Sequence, residues 1–379
     1  MEKVTNVLLE CYMNIPSFEL TVQDFQRHSS VIPINVRSKL TRNITPADIS
    51  WCDVLVSVRG GNPLSAYLVK EAKKAGRKVA LMIDDDLLLN KPSEETYANR
   101  SYKKALLDVL NNADCMITPS KYLGEKYKKK FGINYVLVDT VVDSGQFVRR
   151  SLNIKDGKIR LLYAAGQQHK VFFEKFVSPI LNKLYDCYGE RVSLTIVGPD
   201  VDLSGIQMKC HKIASMPMGK YRDFMNNNSF DIGLAPLFDN EFCKSKYFNK
   251  YIEYSVNSIC GIYSNVIPYS LVVENEYDGF LVENNPDSWF KTICKAIDNS
   301  ESRIKCVINA QQKLMKDFNA DIVAKRLLND TTNILDFKAD PCKRKYAKHM
   351  FLRFIYYVLE RRTIGALVDL KNKYNYIYS

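Results

Sequence analysis

The chain has 379 residues, 46% of them hydrophobic and 25% charged, and its formal net charge is +12. That length exceeds what one hydrophobic core usually organises, and the composition excludes an extended disordered protein, so we expect two ordered domains. No uncharged apolar run is long enough to span a membrane, and the first residues lack the apolar core of a secretion signal. Both features predict a cytoplasmic location.

The first half of the chain alternates short, β-branched apolar runs with helical patterns. This alternation is typical of a parallel sheet covered by helices. The predicted strands are residues 4–10, 31–36, 53–58, 78–83, 115–118 and 135–138.

Polar residues follow the third and fourth of these strands, where ligands bind in such sheets. Arg59 follows the third strand, and Asp84, Asp85 and Asp86 follow the fourth. We predict that these four side chains face a cleft and position an acceptor, or that the aspartates cap a helix. Two alternatives stay open for the aspartates, a divalent-metal site of the Asp-x-Asp type and a purely structural role. Arg59 fits either an anion site or a tight turn.

The second half repeats the same pattern after a polar connection at residues 148–158, which is typical of a linker. Its predicted strands are residues 159–164, 193–197, 210–213, 232–235, 260–263 and 280–282. We therefore predict an α/β fold of two Rossmann-like domains that face each other across a cleft. The predicted boundaries are 1–150 for an N-terminal acceptor domain, 151–335 for a C-terminal donor domain and 336–379 for a basic tail.

Residues 231–254 form the most informative stretch, a predicted strand and loop that run into a helix. Lys246, Lys250 and Glu253 are spaced i, i+4 and i+7, so on one continuous helix they would share a face. Two ammonium groups and a carboxylate suit a nucleoside diphosphate, because lysine neutralises phosphate and a carboxylate accepts hydrogen bonds from ribose hydroxyls. The alternative is a solvated surface with a salt bridge from Lys250 to Glu253.

Several segments resemble family-four-type bacterial polysaccharide glycosyltransferases of the GT-B fold. The sugar-donor region of that family is similar to residues 231–237, which read DIGLAPL, together with Lys246 and residues 250–254, which read KYIEY. Further blocks of the family are similar to residues 163–169, 264–269 and 278–284.

The resemblance implies roles for individual residues of the second half. Glu253 would bind the ribose of a sugar nucleotide, while Lys246 and His169 would lie near its diphosphate. The remaining residues that the resemblance assigns to the donor site are Gly166, Lys250, Pro268 and Tyr269.

The same resemblance implies a hexosyltransferase that moves a sugar from a nucleoside-diphosphate donor to a glycan or lipid-linked acceptor in cell-surface polysaccharide synthesis. It implies retention of anomeric configuration without a metal or other cofactor, and it identifies no catalytic base. Ser258, Cys260 and Asp139 stand where the family usually has Gly, Pro and Asn. These departures leave open a non-catalytic nucleotide-binding or scaffold protein with the same fold.

Half of the excess positive charge lies in residues 340–379, where nine Lys or Arg residues accompany three acidic ones. Apolar residues recur there at helical spacing, which predicts a basic amphipathic helix. The helix would lie on an anionic membrane surface, making the protein peripheral on the inner face of the plasma membrane, or pack on the N-terminal domain. Concentration of half of the excess charge in the tail argues against nucleic-acid binding. The ten cysteines include no Cys-x-x-Cys pair and are expected to be reduced thiols.

Overall fold

A computed structural model of the chain describes residues 4–89, 97–148, 157–329 and 333–340. These residues form two compact units. The first unit contains the described part of Met1–Thr140 and Val323–Ser379, and the second contains that of Val141–Ile322. Each unit is built on a six-stranded parallel sheet with helices, which confirms the predicted fold class of two Rossmann-like domains.

The first unit has the strand order β2-β1-β3-β4-β5-β6. Alternate residues of a strand enter different apolar clusters, Leu8 and Leu55 on one face and Val7 and Val56 on the other. Helices therefore cover both faces, and the strands read as continuous apolar runs. The elements are β1 (Thr5–Cys11), α1 (Pro16–His28), β2 (Ile34–Leu40), α2 (Pro46–Trp51), β3 (Val54–Val58), α3 (Pro63–Lys74), β4 (Lys78–Met82), α4 (Tyr97–Asn112), β5 (Cys115–Thr118), α5 (Lys121–Phe131) and β6 (Tyr135–Leu137).

The second unit has the strand order β9-β8-β7-β10-β11-β12, again with every neighbouring pair parallel. Two apolar clusters cover its faces, and Trp289 is the largest of its fully buried side chains. The elements are β7 (Ile159–Ala164), α6 (Lys170–Phe172), α7 (Leu181–Tyr188), β8 (Val192–Gly198), β9 (Lys209–Ala214), α8 (Met218–Asn227), β10 (Ile232–Ala235), α9 (Glu241–Lys244), α10 (Asn249–Val256), β11 (Cys260–Ser264), β12 (Phe280–Val282), α11 (Pro286–Asp298) and α12 (Ser300–Asp317).

All twelve predicted strands are present, and eleven of them agree with the prediction to within one residue at each end. The exception is β2, which begins at Ile34 instead of residue 31 and continues to Leu40. Its start is delayed because the N–H groups of Val31 and Ile32 both donate to the His28 carbonyl, at 3.0 and 2.9 Å. These two residues still belong to the turn that ends α1.

The boundaries between the units differ from the predicted ones. Val142, which the prediction assigned to the N-terminal domain, lies in the core of the second unit, and its N–H donates to the Phe318 carbonyl at 2.8 Å. The chain returns to the first unit at Val323, within α13 (Ala320–Leu328), whereas the prediction kept it in the donor domain up to residue 335. Leu327 and Ile334 bury their side chains in the apolar cluster around β1 and β3.

Two ion pairs fasten this returning segment to the first unit. Arg326 Nη1 lies 2.9 Å from Asp139 Oδ2, so Asp139, a departure from the family pattern, has a structural partner here. Asp53, which is buried just before β3, accepts hydrogen bonds from Lys338 Nζ at 2.8 Å and from the Ala339 N–H at 3.0 Å.

The predicted amphipathic helix of the tail lies outside the described residues, which end at Asp340. Among the helices that are described, none combines the length and the apolar character needed to cross a membrane. No two cysteines within the described ranges are joined in a disulfide.

Candidate functional site

The strand order of the second unit reverses between β7 and β10. The strands β8 and β9 lie on one side of β7, and β10, β11 and β12 lie on the other. In open parallel sheets, such a reversal leaves a crevice between the loops that follow the two central strands, and ligands bind there. A ligand site is therefore expected between the loops after β7 and β10, which both carry residues predicted from the sequence.

The loop after β7 contains Gly166 and His169. Gly166 has φ −74°, and a methyl group added to it would meet only the Gln168 side chain, at 3.9 Å. Neither backbone conformation nor packing requires a glycine there, so its missing side chain leaves open space. His169 is held in place because its N–H donates to the Gly166 carbonyl at 2.9 Å and its carbonyl accepts from the Tyr163 hydroxyl at 2.8 Å.

The residues after β10 do not form the single helix that the lysine spacing predicted. The helices α9 and α10 are separate, and Lys246 lies in the bend between them. The helix is interrupted because Phe248 leaves helical geometry, with ψ 41°, while the Tyr247 ring is buried in the core. The prediction that Lys246 shares a helix face with Glu253 is therefore wrong.

Lys246 remains a candidate site residue, although the bend and not a helix face positions it. Its side chain is only 9% exposed, and its ammonium group lies 4.4 Å from the centre of the Phe242 ring. An ammonium group over an aromatic face is attracted by the negative ring centre. The Phe242 ring therefore holds the Lys246 ammonium group in place, and burial shields it from bulk water.

Lys250 and Glu253 form the salt bridge that the sequence left as an alternative. Lys250 Nζ lies 2.7 Å from both Glu253 oxygens. The pair is not part of a solvated surface, because the two side chains are only 23% and 24% exposed. The rings of Tyr221 and Tyr254 flank the ammonium group at 5.7 and 5.8 Å, and the Tyr221 hydroxyl donates to Glu253 Oε1 at 2.5 Å.

Lys246 and Lys250 lie close enough to His169 for their charges to lower its pKa. Burial lowers the pKa of His169, and the positive charges of Lys246 and Lys250 lower it further, to about 3. The imidazole is therefore neutral at pH 7, with one nitrogen free to donate and one to accept a hydrogen bond. His169 comes from the β7 loop and both lysines from the segment after β10, so the cluster spans the reversal in strand order.

Aromatic packing holds α10 against the sheet. The Tyr254 hydroxyl donates to the Leu234 carbonyl at 2.9 Å. A Cβ on Gly233 would lie 2.6 Å from the Tyr254 ring, so the glycine of the DIGLAPL segment permits the close approach of this helix. That approach sets the position of Glu253, the residue before Tyr254.

The two remaining donor-site predictions, Pro268 and Tyr269, lie after β11. Pro268 follows a cis peptide bond and precedes the short helical turn Tyr269–Leu271. Tyr269 is buried against Tyr263, with ring centres 4.9 Å apart. Burial and then the charge of Glu253 raise the pKa of Tyr269, so its hydroxyl keeps its proton, and the residue is buried and not at the surface.

The turn after α10 keeps a glycine-like conformation although the family glycine is replaced. Ser258 has φ 57°, in the left-handed region that glycine adopts most readily. Its hydroxyl donates to the Val148 carbonyl at 2.8 Å and accepts from Gln311 Nε2 at 3.1 Å. These bonds stabilise the turn, and Cys260 then enters β11 as a buried residue.

In the first unit, three of the four predicted acceptor residues meet at the carboxyl ends of β3 and β4. Arg59 Nε lies 3.1 Å from Asp84 Oδ1, and Arg59 Nη2 lies 3.4 Å from Asp85 Oδ2. The Ser17 hydroxyl donates to Asp84 Oδ2 at 2.5 Å. The three charged side chains are half-buried and hold one another, so they form one preorganised polar cluster.

Asp86 does not belong to that cluster. It is 1% exposed, accepts from the Tyr127 hydroxyl at 3.1 Å and pairs with Lys126 Nζ at 3.0 Å. Its Oδ1 also accepts the N–H groups of Leu88 and Leu89. The purely structural role that the sequence left open for the aspartates fits Asp86, because its carboxylate is buried and its hydrogen bonds go to the protein interior and not to the sheet edge. The described residues contain no group of three or more His, Cys, Asp or Glu side chains arranged to hold a metal.

Comparison with known proteins supports the architecture. No family model matches the chain, and no curated protein matches its sequence. Solved structures that share its fold include the following three. The glycosyltransferase from Rickettsia africae has a TM-score of 0.60 and 14% identity over 88% of this chain and 99% of its own. HepE of Anabaena, crystallised with UDP and glucose, has a TM-score of 0.60 and 10% identity over 85% and 98%.

The third structure is TarM, with a TM-score of 0.56 and 11% identity over 73% of this chain. This chain spans 54% of TarM, about half of its length. The chain has the GT-B fold. At these identities, the similarity concerns the GT-B fold alone, and the activity has to be argued from the site.

Two site residues of this GT-B chain were missed in the sequence. Tyr163 lies within a buried apolar run and gives no sign that its hydroxyl holds the His169 backbone. Tyr221 lies on α8, 32 residues before Glu253, and no local pattern connects the two. Only the tertiary fold brings the Tyr221 hydroxyl to the carboxylate.

Proposed function

We propose that this chain is a glycosyltransferase that binds a nucleoside-diphosphate sugar at the carboxyl edge of the second sheet and transfers the sugar to an acceptor. The grouping of Lys246, Lys250 and His169 beside the Glu253 carboxylate carries the proposal. The GT-B fold supports it, since HepE has the same fold and was crystallised with UDP and glucose.

The proposed chemistry needs stabilisation of the diphosphate that leaves as the glycosidic bond of the donor breaks. Preorganised positive charge supplies much of that effect, especially where water is excluded. Lys246 suits this role because it is nearly buried and held over Phe242. His169 is neutral, so its contribution is a hydrogen bond to a phosphate or sugar oxygen and not a further charge.

The proposed donor pose follows from the two loops. The open space at Gly166 lets a phosphate approach the start of the helical turn Gln167–His169, where backbone N–H groups favour anions. The Glu253 carboxylate accepts a hydrogen bond from a ribose hydroxyl. The acceptor is proposed to contact Arg59, Asp84 and Asp85 in the first unit, which form a ready-made set of charged hydrogen-bonding groups.

Finer features of the proposal rest on the sequence resemblance. We infer a retaining transfer without a metal, to a glycan or lipid-linked acceptor in cell-surface polysaccharide synthesis. We also infer a cytoplasmic enzyme whose residues 340–379 reach the anionic inner face of the plasma membrane. Asp53 fastens Lys338 and Ala339 and so fixes the point on the first unit from which the basic tail continues.

The site is tested by measuring the binding of nucleoside diphosphates with calorimetry. Lys246→Met should weaken the binding of whichever of UDP, GDP or ADP the wild type prefers by roughly tenfold to 100-fold, because a charge-assisted hydrogen bond contributes about 1.5–3 kcal/mol. Lys244→Met is the matched control, since Lys244 lies on α9 and pairs with Asp239 at 2.9 Å. The Lys244→Met variant should bind the nucleoside diphosphate as tightly as the wild type does.

Equal dissociation constants for both variants and the wild type would remove Lys246 from the site. Turnover is measured separately, by release of the nucleoside diphosphate from sugar nucleotides in the presence of glycan and lipid-linked acceptors. Tight nucleotide binding without release or transfer would favour the non-catalytic alternative.

A further inference from the structure

Glu253 is almost saturated with hydrogen bonds before any ligand binds. Its Oε1 accepts from Lys250 Nζ at 2.7 Å and from the Tyr221 hydroxyl at 2.5 Å. Its Oε2 accepts from Lys250 Nζ at 2.7 Å. A carboxylate offers about four acceptor positions, two on each oxygen. One position therefore stays open among the described contacts, and it is on Oε2.

Tyr221 decides which oxygen keeps the open position. Lys250 bonds both oxygens equally, so it does not distinguish them, whereas the tyrosine hydroxyl occupies Oε1 alone. Burial and the negative charge of Glu253 raise the pKa of Tyr221 well above 10, so the hydroxyl keeps its proton and acts as a donor. The Tyr221 ring also lies 5.7 Å from Lys250 Nζ, so its negative face attracts the ammonium group.

We propose that Tyr221 is a positioning residue for Glu253. Its hydroxyl orients the Glu253 carboxylate so that the one open acceptor position, on Oε2, accepts a hydrogen bond from one ribose hydroxyl of the donor nucleotide. This inference rests on the proposed function. A site with one fixed acceptor for a hydroxyl discriminates against an analogue that lacks that hydroxyl, because the carboxylate loses a charge-assisted hydrogen bond. Without the Tyr221 hydroxyl a second acceptor position opens on the carboxylate and its orientation is no longer fixed, so the discrimination falls.

The experiment compares ribonucleoside diphosphates with their 2′-deoxy and 3′-deoxy counterparts. The probes are UDP, GDP and ADP, of which the best binder to the full-length wild type is pursued. The wild type should bind the ribonucleotide about tenfold or more tightly than one of the two deoxy forms, as expected for one hydrogen bond to a charged group. Tyr221→Phe should reduce that ratio to below about threefold.

Tyr188→Phe is the matched control in the same unit. Tyr188 donates to a carboxylate oxygen of Asp298 at 3.0 Å, so the substitution removes the same kind of bond at the surface of α7 and α11. Its ribose discrimination should equal that of the wild type. Thermal unfolding of all variants checks that the fold is kept, and Tyr221→Phe combined with Glu253→Ala should discriminate no better and no worse than Glu253→Ala alone.

The outcomes separate the inference from the proposed function. If the wild type binds no nucleoside diphosphate, the proposed function itself fails. If it binds but does not distinguish ribose from either deoxyribose, or if Tyr221→Phe keeps the full discrimination, the positioning role of Tyr221 is refuted. A merely structural tyrosine would weaken both nucleotides alike and leave their ratio unchanged, which would also overturn the inference.

Discussion

Replacing His28 with leucine should stabilise the first unit and flatten its dependence on pH. His28 is fully buried at the end of α1, and neither ring nitrogen has a hydrogen-bond partner within the described residues. Burial, and to a smaller extent the charge of Arg27, lowers its pKa from 6.5 to about 4. The native histidine therefore stays neutral in mild acid, whereas the unfolded chain takes up a proton.

The sign of the effect follows from that difference. Above the unfolded pKa both states are neutral, and the histidine adds no pH dependence. As the pH falls from 6.5 toward 4, protonation favours the unfolded chain. The free energy of unfolding drops by roughly 3 kcal/mol in total, at about 1.4 kcal/mol for each pKa unit.

The assay is urea unfolding followed by tryptophan fluorescence. The chain has two tryptophans, one in each unit, so a Trp289→Phe background leaves Trp51 as the reporter of the first unit. At pH 7, His28→Leu should raise the free energy of unfolding by about 1–2 kcal/mol, because two unpartnered buried nitrogens are removed. The advantage should grow by a further ~2–3 kcal/mol near pH 4.

His211→Leu is the control, because His211 is exposed on β9 of the second unit. It should leave the pH dependence of the first unit unchanged. The reasoning would be refuted by a nuclear magnetic resonance titration that places the pKa of His28 near 6.5. It would also be refuted if wild type and variant lost the same stability in acid.

Two further predictions concern the donor site and the tail. Gly233→Ala should lower the free energy of unfolding of the second unit by about 1–3 kcal/mol, because its Cβ would press on the Tyr254 ring from 2.6 Å. It should also weaken nucleotide binding, whereas Gly219→Ala in α8, where a Cβ meets nothing within 4 Å, should do neither. Removal of residues 341–379 should abolish flotation with phosphatidylglycerol vesicles at low salt, because each nearby lysine or arginine contributes about 1 kcal/mol to the attraction. Equal flotation of the full and shortened chains would remove the membrane role of the tail.

The site was predicted only in part from the sequence. The spacing of Lys246, Lys250 and Glu253 identified residues that the structure brings together with His169, but it predicted one helix where the chain makes two. The chain leaves helical geometry at Phe248, next to the buried ring of Tyr247, and such tertiary packing overrides the local preference for a continuous helix. Asp86 was grouped with Asp84 and Asp85 because they are adjacent, yet burial separates it from them.

What the sequence determined by itself is the set of strands and their repetition in two α/β halves. Strands buried on both faces are continuous β-branched apolar runs, and such a local pattern is readable without the fold. Tertiary structure alone decided where each unit ends and which groups surround Glu253. These depend on contacts between residues far apart in the chain, such as Asp139 with Arg326 and Tyr221 with Glu253. No short-range pattern records such contacts, because the two partners come together only when the unit that contains them is folded.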